Sequence, residues 1–203
     1  LQTPRTCVSK SLERGKYVHL GLERGLLDEL RLCPLTGIPQ VHVQLHIDRM
    51  KPEPLEDFLG DCVSELKGLL TTGLRHPRTE SVIKVDLLNV ICDTPARCYV
   101  RQVKAHSGYY GCDRCCHKGK HIANRMTFLQ YSGRLRDDRS LRLRSQRPHH
   151  KCRSPFEDLP INMVSCFPID YMHQVCLGVM RKLLHTWRLA MQPLFTDRVF
   201  MQV

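Results

Sequence analysis

The stretch Val85 to Cys92, VDLLNVIC, constrains this chain more than any other. It is short, apolar and rich in β-branched residues, so it reads as a buried strand. Asp86 and Asn89 interrupt it, which leaves one face or end wet. The run stops on an acid, Asp93, and Thr94-Pro95-Ala96 follow as a helix start, with Thr94 as cap and Pro95 in the first turn. A carboxylate where a strand meets a helix N-terminus is where α/β sheets bind ligands and metals. The same acid serves equally as a plain helix cap, and the sequence leaves both roles open.

A second strand precedes it. In Val41 to Asp48, the residues Val41, Val43, Leu45 and Ile47 alternate with His42, Gln44, His46 and Asp48. That period of two puts Asp48 at a strand end on the polar face. Two strand-terminal acids favour a divalent ion, which needs converging carboxylates. Between the strands, Pro54 to Leu70 reads as an amphipathic helix, with Leu55, Phe58, Leu59, Cys62, Val63, Leu66, Leu69 and Leu70 at helical spacing and Gly73 as its stop.

Elsewhere the patterns are weaker. Residues 1–20 read as a basic, solvated lead-in, and Gly21 to Leu32 as a short helix that Cys33-Pro34 ends. A helix is expected over Ala96 to Ala105, an extended stretch over Pro155 to Pro168, and a long helix over Ile169 to Ala190. Asp170 and His173 share a face near the start of that last helix. The organisation expected is a lead-in over 1–40, a domain over 41–191 and a divergent tail over 192–203.

The chain has 203 residues and 11 cysteines, an odd number, with no apolar signal region at its start and no apolar run long enough to span a bilayer. These features point to a reducing compartment and to thiols that are buried or metal-bound, with an extracellular disulfide framework as the alternative. Cys112 and Cys115, in a Gly-bounded segment over 108–121, have the spacing with which two thiolates reach one zinc. Candidates to complete the site are Cys116, His117, His121, His149, His150, Cys152 and His173. A pair of unligated cysteines in a turn is the plainer alternative.

The formal net charge of +11 favours a polyanionic partner such as nucleic acid. Residues 134–153 carry eight Lys and Arg against two Asp. This stretch reads either as a solvated loop or as a phosphate-contacting one led by Arg134, Arg136, Arg139, Arg142, Arg144 and Arg147.

Taken in order, LHID ending at Asp48, ICDTPAR around Asp93, SGYYGCDRCC around Cys112 and Cys115, and LPINMVSCFPIDYMHQVCLGVMRKLL around Asp170 and His173 resemble the DDE-type transposases of the CACTA-like (En/Spm-type) group. The resemblance covers most of residues 1–187. It implies an α/β fold: an RNase H-like mixed sheet flanked by helices, with a zinc-knuckle-like insertion and a long C-terminal helix. It implies that Asp48 and Asp93 are two of three catalytic acids holding Mg²⁺ or Mn²⁺ for strand cleavage and transfer in DNA, and that the protein acts in the nucleus. It also implies an Asp-x-x-His element, here Asp170 and His173.

Two departures matter. The family places two further strands after the first acid, whereas here Arg49 to Pro54 lead straight into the helix, so one side of the sheet is expected to be missing. No position matches the third acid. The chain begins on Leu1 and ends at Val203, and is expected to be an internally deleted, truncated copy. The expected function is that of a transposable-element-derived protein without nuclease activity that keeps structural zinc and DNA binding. The alternatives are a domesticated nuclear DNA- or protein-binding module and an active transposase completed by sequence outside this chain.

Overall fold

The structure, a computed structural model, describes residues 8–12, 15–32, 40–47, 53–129 and 133–196. The chain divides into two units, residues 1–168 and 169–203.

The first unit opens with β1 (Val8–Leu12) and β2 (Gly15–His19), an antiparallel pair where the sequence led us to expect an unpatterned lead-in. Contacts far along the chain hold it, which local patterning could not reveal. Lys10 pairs with Asp61 at 2.8 Å, and His19 Nε2 lies 2.6 Å from Glu65 Oε2. Helix α1 (Leu22–Leu32) follows, and Glu65 also accepts the backbone N–H groups of Leu22 and Glu23, satisfying donors that a helix start leaves open.

Strand β3 (Gln40–Ile47) alternates as its sequence does, with Val43 buried and His42, Gln44 and His46 exposed. Helix α2 (Leu55–Thr72) buries Leu55, Leu59, Val63, Leu66 and Leu69 along one stripe. Each such side chain contributes about 1.5–3 kcal/mol when fully buried, so this stripe dominates the core. The helix stops at Gly73, whose φ of +75° suits glycine and whose N–H reaches the Leu69 carbonyl at 2.9 Å. A Cβ there would lie 2.6 Å from the Ile83 carbonyl oxygen.

The short β4 (Leu74–Arg75) leads to β5 (Val82–Cys92), the centre of a three-stranded mixed sheet ordered β3-β5-β4. β3 runs parallel to β5, and β4 antiparallel to it. The register slips between Val43 and Gln44, leaving Leu88 as the extra residue of a bulge. The slip changes which residues face inward: Ile83, Val85 and Leu87 are buried before it, Val90 and Cys92 after it. The wet positions Asp86 and Asn89 fall on either side of the slip.

Helix α3 (Thr94–Val100) is shorter than the expected Ala96–Ala105, because Gln102 takes a φ of +53° and turns the chain. Two short strands, β6 (Lys120–Ile122) and β7 (Arg125–Thr127), form an antiparallel hairpin. The basic stretch is folded. Helix α4 (Asp138–Arg142) starts with a reciprocal cap between Asp137 and Ser140, and a 3₁₀ turn covers Arg147–His149. A further 3₁₀ turn, Pro155–Asp158, opens the segment expected to be extended. Phe156 and Phe167 are fully buried there, edge to face at 5.6 Å, and the Cys166 carbonyl accepts the Val90 N–H at 2.8 Å.

In the second unit the described residues form one long helix from Tyr171 to Thr196. Its first ten residues, Tyr171–Met180, are wound as a π-helix before α5 (Arg181–Thr196) continues as an α-helix. The 3.6-residue periodicity expected from Ile169 therefore begins only at Arg181. Leu183, Leu184 and Trp187 of its apolar stripe remain exposed. No helix among the described residues is long and apolar enough to cross a membrane.

Candidate functional site

Ile47 and Cys92 are paired in the parallel register, and each is followed in sequence by one of the two candidate acids. Asp48 lies outside the described residues. Asp93 is buried, and its Oδ1 accepts the Ala96 N–H at 2.7 Å. The cap of α3 is thus Asp93, one residue before the expected Thr94, and Pro95 sits in the first turn where its missing N–H costs nothing.

The knuckle is built on α3 and the turn that follows. Asp113 accepts from Arg97 Nε at 2.7 Å and from Arg101 Nη1 at 3.2 Å. Arg101 is 1 % exposed, and its guanidinium stacks 5.7 Å from the Phe167 ring, with Nε and Nη2 buried and unpartnered among the described residues. Burial depresses its pKa, and Asp113 opposes that. One carboxylate shared by two buried guanidiniums makes this a pin that fixes the knuckle to α3. A close backbone approach holds the other side: a Cβ on Gly111 would fall 2.0 Å from the Ala105 carbonyl oxygen.

Cys112 and Cys115 place their Sγ atoms 3.3 Å apart. The edge of a tetrahedral zinc–thiolate site is about 3.8 Å, given Zn–S near 2.3 Å. Arg136 lies behind them, donating from Nε to the Cys112 carbonyl at 3.0 Å and from Nη2 to the Gln146 side chain. Gln146 in turn donates to the Cys116 carbonyl at 2.9 Å. Burial raises the Cys115 thiol and the neighbouring Cys112 raises it further, while the His117 N–H and Arg136 pull it down.

His149 is fully buried, with Nδ1 2.7 Å from the Tyr110 carbonyl. A carbonyl only accepts, so Nδ1 carries the proton and Nε2 keeps its lone pair. That Nε2 is buried without a partner among the described residues, as is His150 Nε2. Burial, with Arg136 adding to it, lowers the His149 pKa to about 4. An oriented neutral imidazole with a bare nitrogen is what a metal ligand requires. The other candidates are placed differently. Cys152 is exposed, the His121 ring lies tilted to Tyr109 at 6.5 Å, and His117 meets Phe128 edge to face at 6.4 Å. His173 belongs to the second unit, with Nδ1 2.5 Å from Asp170 Oδ2. Asp170 caps that helix by accepting the Met172 N–H at 2.9 Å. Burial would raise the Asp170 pKa, but the bonds from His173 and the backbone outweigh it and hold it low. Among the described residues, no three His, Cys, Asp or Glu side chains form a group that could hold a metal ion. No disulfide joins the described cysteines.

The six arginines divide into two kinds. Arg136 is buried as described, and Arg142 binds the Leu159 and Ile161 carbonyls at 3.2 and 2.7 Å besides Asp138 at 2.9 Å. Arg144 pairs with Glu157 at 3.2 Å. Arg134, Arg139 and Arg147 are exposed. Sequence reasoning missed a second basic region. From Arg114 to Arg136 the chain has six Lys and Arg and no acid, and Lys118, Lys120 and Arg125 of this run are exposed. The signal was available as an absence of acids between Asp113 and Asp137.

The chain matches no known protein family, no curated protein and no solved structure.

Proposed function

We propose that this is a transposase-derived, DNA-binding protein of the nucleus that does not cut DNA. The observation that carries the reading is the parallel pairing of β3 with β5 across α2, with Ile47 opposite Cys92. In an RNase H-like core, two adjacent strands of this kind end on the acids that hold catalytic metal, and here Asp48 and Asp93 are the next residues in sequence. The direct passage from β3 into α2 agrees with the loss of the strands that would follow the first acid.

Cleavage is not expected. Asp93 spends one carboxylate oxygen as a buried helix cap. Two acids leave a two-metal site short of ligands, and a constellation displaced by ~1 Å already loses about 10²-fold in rate. The residues that remain bind and orient. Arg134, Arg139 and Arg147 offer exposed positive charge, and Arg97 and Arg101 pair with Asp113 of the knuckle.

Structural zinc fits the knuckle in its donor chemistry. Cys112 and Cys115 would supply two thiolates to it, and the remaining ligands would have to come from beyond the groups that the described residues form. The thiol separation supports this.

The test has two arms. Purified protein is titrated into a labelled DNA duplex, and non-specific binding at roughly 10⁻⁴–10⁻⁶ M in physiological salt is expected. The same protein is incubated with supercoiled plasmid in Mg²⁺ or Mn²⁺, and the plasmid is expected to stay intact. Nicking that disappears in both Asp48→Ala and Asp93→Ala would overturn the non-cutting reading, and absence of duplex binding would overturn the DNA reading.

A further inference from the structure

The hairpin β6–β7 is short, exposed and asymmetric. Its register pairs Lys120 with Thr127, His121 with Met126 and Ile122 with Arg125. Directly paired residues of an antiparallel ladder share a face, and alternate residues along a strand share it too. One face therefore carries His121 and Met126, the other Lys120, Ile122, Arg125 and Thr127. The first face is turned to the knuckle. His121 lies 6.5 Å from the Tyr109 ring, and a Cβ on Gly119 would meet Met126 Sδ at 2.6 Å. The Gly119 N–H is anchored to the Tyr109 carbonyl at 2.7 Å. The second face is open at Lys120, Arg125 and Ile122, the last 45 % exposed, while Thr127 at its base is half-buried.

We propose that this ribbon is a DNA major-groove probe, with Lys120 and Arg125 meeting phosphates or guanine edges and Ile122 meeting thymine methyl groups. The inference rests on the DNA-binding reading above and names the surface that would serve it. A tight turn at Ala123 and Asn124, with φ of +47° and +59°, ends the ribbon in a narrow tip. Three residues of strand extend about 10 Å, and the major groove is about 8.5 Å deep and 12 Å wide, so the tip reaches the groove floor. Two strands lie about 4.8 Å apart, which leaves room for one layer of side chains on each side. The local charge is unopposed in sequence. The flanking acids are both engaged, Asp113 by Arg97 and Arg101 and Asp137 by the start of α4. At the base of the ribbon, Lys118 Nζ sits 5.8 Å from the rings of both Tyr109 and Tyr110, adding a cation held in place by aromatic faces.

Full-length protein is titrated into a labelled duplex over a range of salt, beside three variants: Lys120→Gln/Arg125→Gln, Ile122→Ser, and Arg134→Gln/Arg139→Gln/Arg147→Gln. All substituted side chains are exposed, and unchanged thermal melting confirms that each variant folds. The Lys120/Arg125 variant should lose about tenfold in affinity and flatten the slope of log K against log salt by about 2. Ile122→Ser should weaken binding without altering the slope. Guanine N7, which faces the major groove, should be protected from dimethyl sulfate in the wild-type complex and exposed again in the Lys120/Arg125 variant. If that variant binds like wild type while the arginine triple variant does not, the ribbon is not the contact and the DNA reading survives. If an A-form RNA duplex, with its deep and narrow major groove, is bound as tightly as DNA, the groove assignment fails. If wild type binds no duplex, the DNA reading falls and takes the ribbon's partner with it.

Discussion

His149 donates from Nδ1 to the Tyr110 carbonyl at 2.7 Å, across 39 residues of chain. This bond ties the 3₁₀ turn to the knuckle and fixes the tautomer of a ring that has no exposed surface. Protonating Nε2 would bury a cation near Arg136 and Arg101, and the pKa is accordingly held near 4. In the unfolded chain the same histidine titrates near 6.5. The folded state therefore binds fewer protons than the unfolded state across that interval. Stability from this residue is complete above about pH 6.5 and drains away as pH falls toward 4. At about 1.4 kcal/mol per unit, the loss is of order 3 kcal/mol at most. Urea melts of metal-free protein from pH 7 to 4 should show this slope, and His149→Gln should be less stable at pH 7 but flatter over the range. An equally steep profile in the variant would assign the acid sensitivity to other groups.

The two thiols of Cys112 and Cys115, 3.3 Å apart, set the metal prediction. Protein purified without chelator is expected to carry about one equivalent of zinc. Cys112→Ser and Cys115→Ser should each reduce it to below about a tenth. The competing outcome is oxidation, since thiols this close form a disulfide readily in air. A mass loss of two hydrogens in the native protein, with no zinc detected, would show that the pair is a dithiol and not a ligand set.

How far the sequence discloses this fold depends on which contacts are local. β3 and α2 were legible because Val43 and the Leu55–Leu69 stripe are buried by simple periodicity. The β5 run was legible as a strand, but the bulge at Leu88 was not, because it arises from pairing with β3. The first hairpin was missed for the same reason, since Glu65 and Asp61 hold it from α2. At the site, the Cys112–Cys115 spacing was readable, whereas the roles of Arg136 and Arg142 were not. An arginine that reaches carbonyls and one that reaches phosphate look alike in a string of letters. Asp93 was readable as an acid at a strand end, and the 2.7 Å bond from the Ala96 N–H shows that it also caps α3.

That division of the arginines is measurable. Arg142 satisfies the Leu159 and Ile161 carbonyls and pairs with Asp138. Removing the guanidinium leaves acceptors short of partners, at a cost of about 1–3 kcal/mol. Arg142→Gln should lower Tm by several degrees, with roughly 2–4 °C per kcal/mol for a chain of this size. Arg139→Gln/Arg147→Gln should leave Tm nearly unchanged and weaken duplex binding. A reversal, with Tm falling for the exposed pair and not for Arg142, would contradict the placement of these side chains.

The two roles of Asp93 can be separated with a single pair of substitutions. Asparagine caps helices about as well as aspartate, while alanine does not. If Asp93 serves only as the cap of α3, Asp93→Asn should stay within a few tenths of a kcal/mol of wild type. Asp93→Ala should lose about 0.5–2 kcal/mol, the usual cost of an absent cap, with the upper end expected because the bond to Ala96 is buried. A carboxylate that also held a divalent ion would add a second signature. Mg²⁺ would then raise the Tm of wild type, because a ligand that binds only the folded state stabilises it by mass action. Asp93→Asn would lose that increment although its cap is intact. The capping role predicts no difference between wild type and Asp93→Asn in their response to Mg²⁺ or Mn²⁺. A metal-dependent rise in Tm confined to the wild type would show that Asp93 keeps the metal-binding role its place at the end of β5 suggests, and the non-cutting reading would then need the missing ligands to account for inactivity alone.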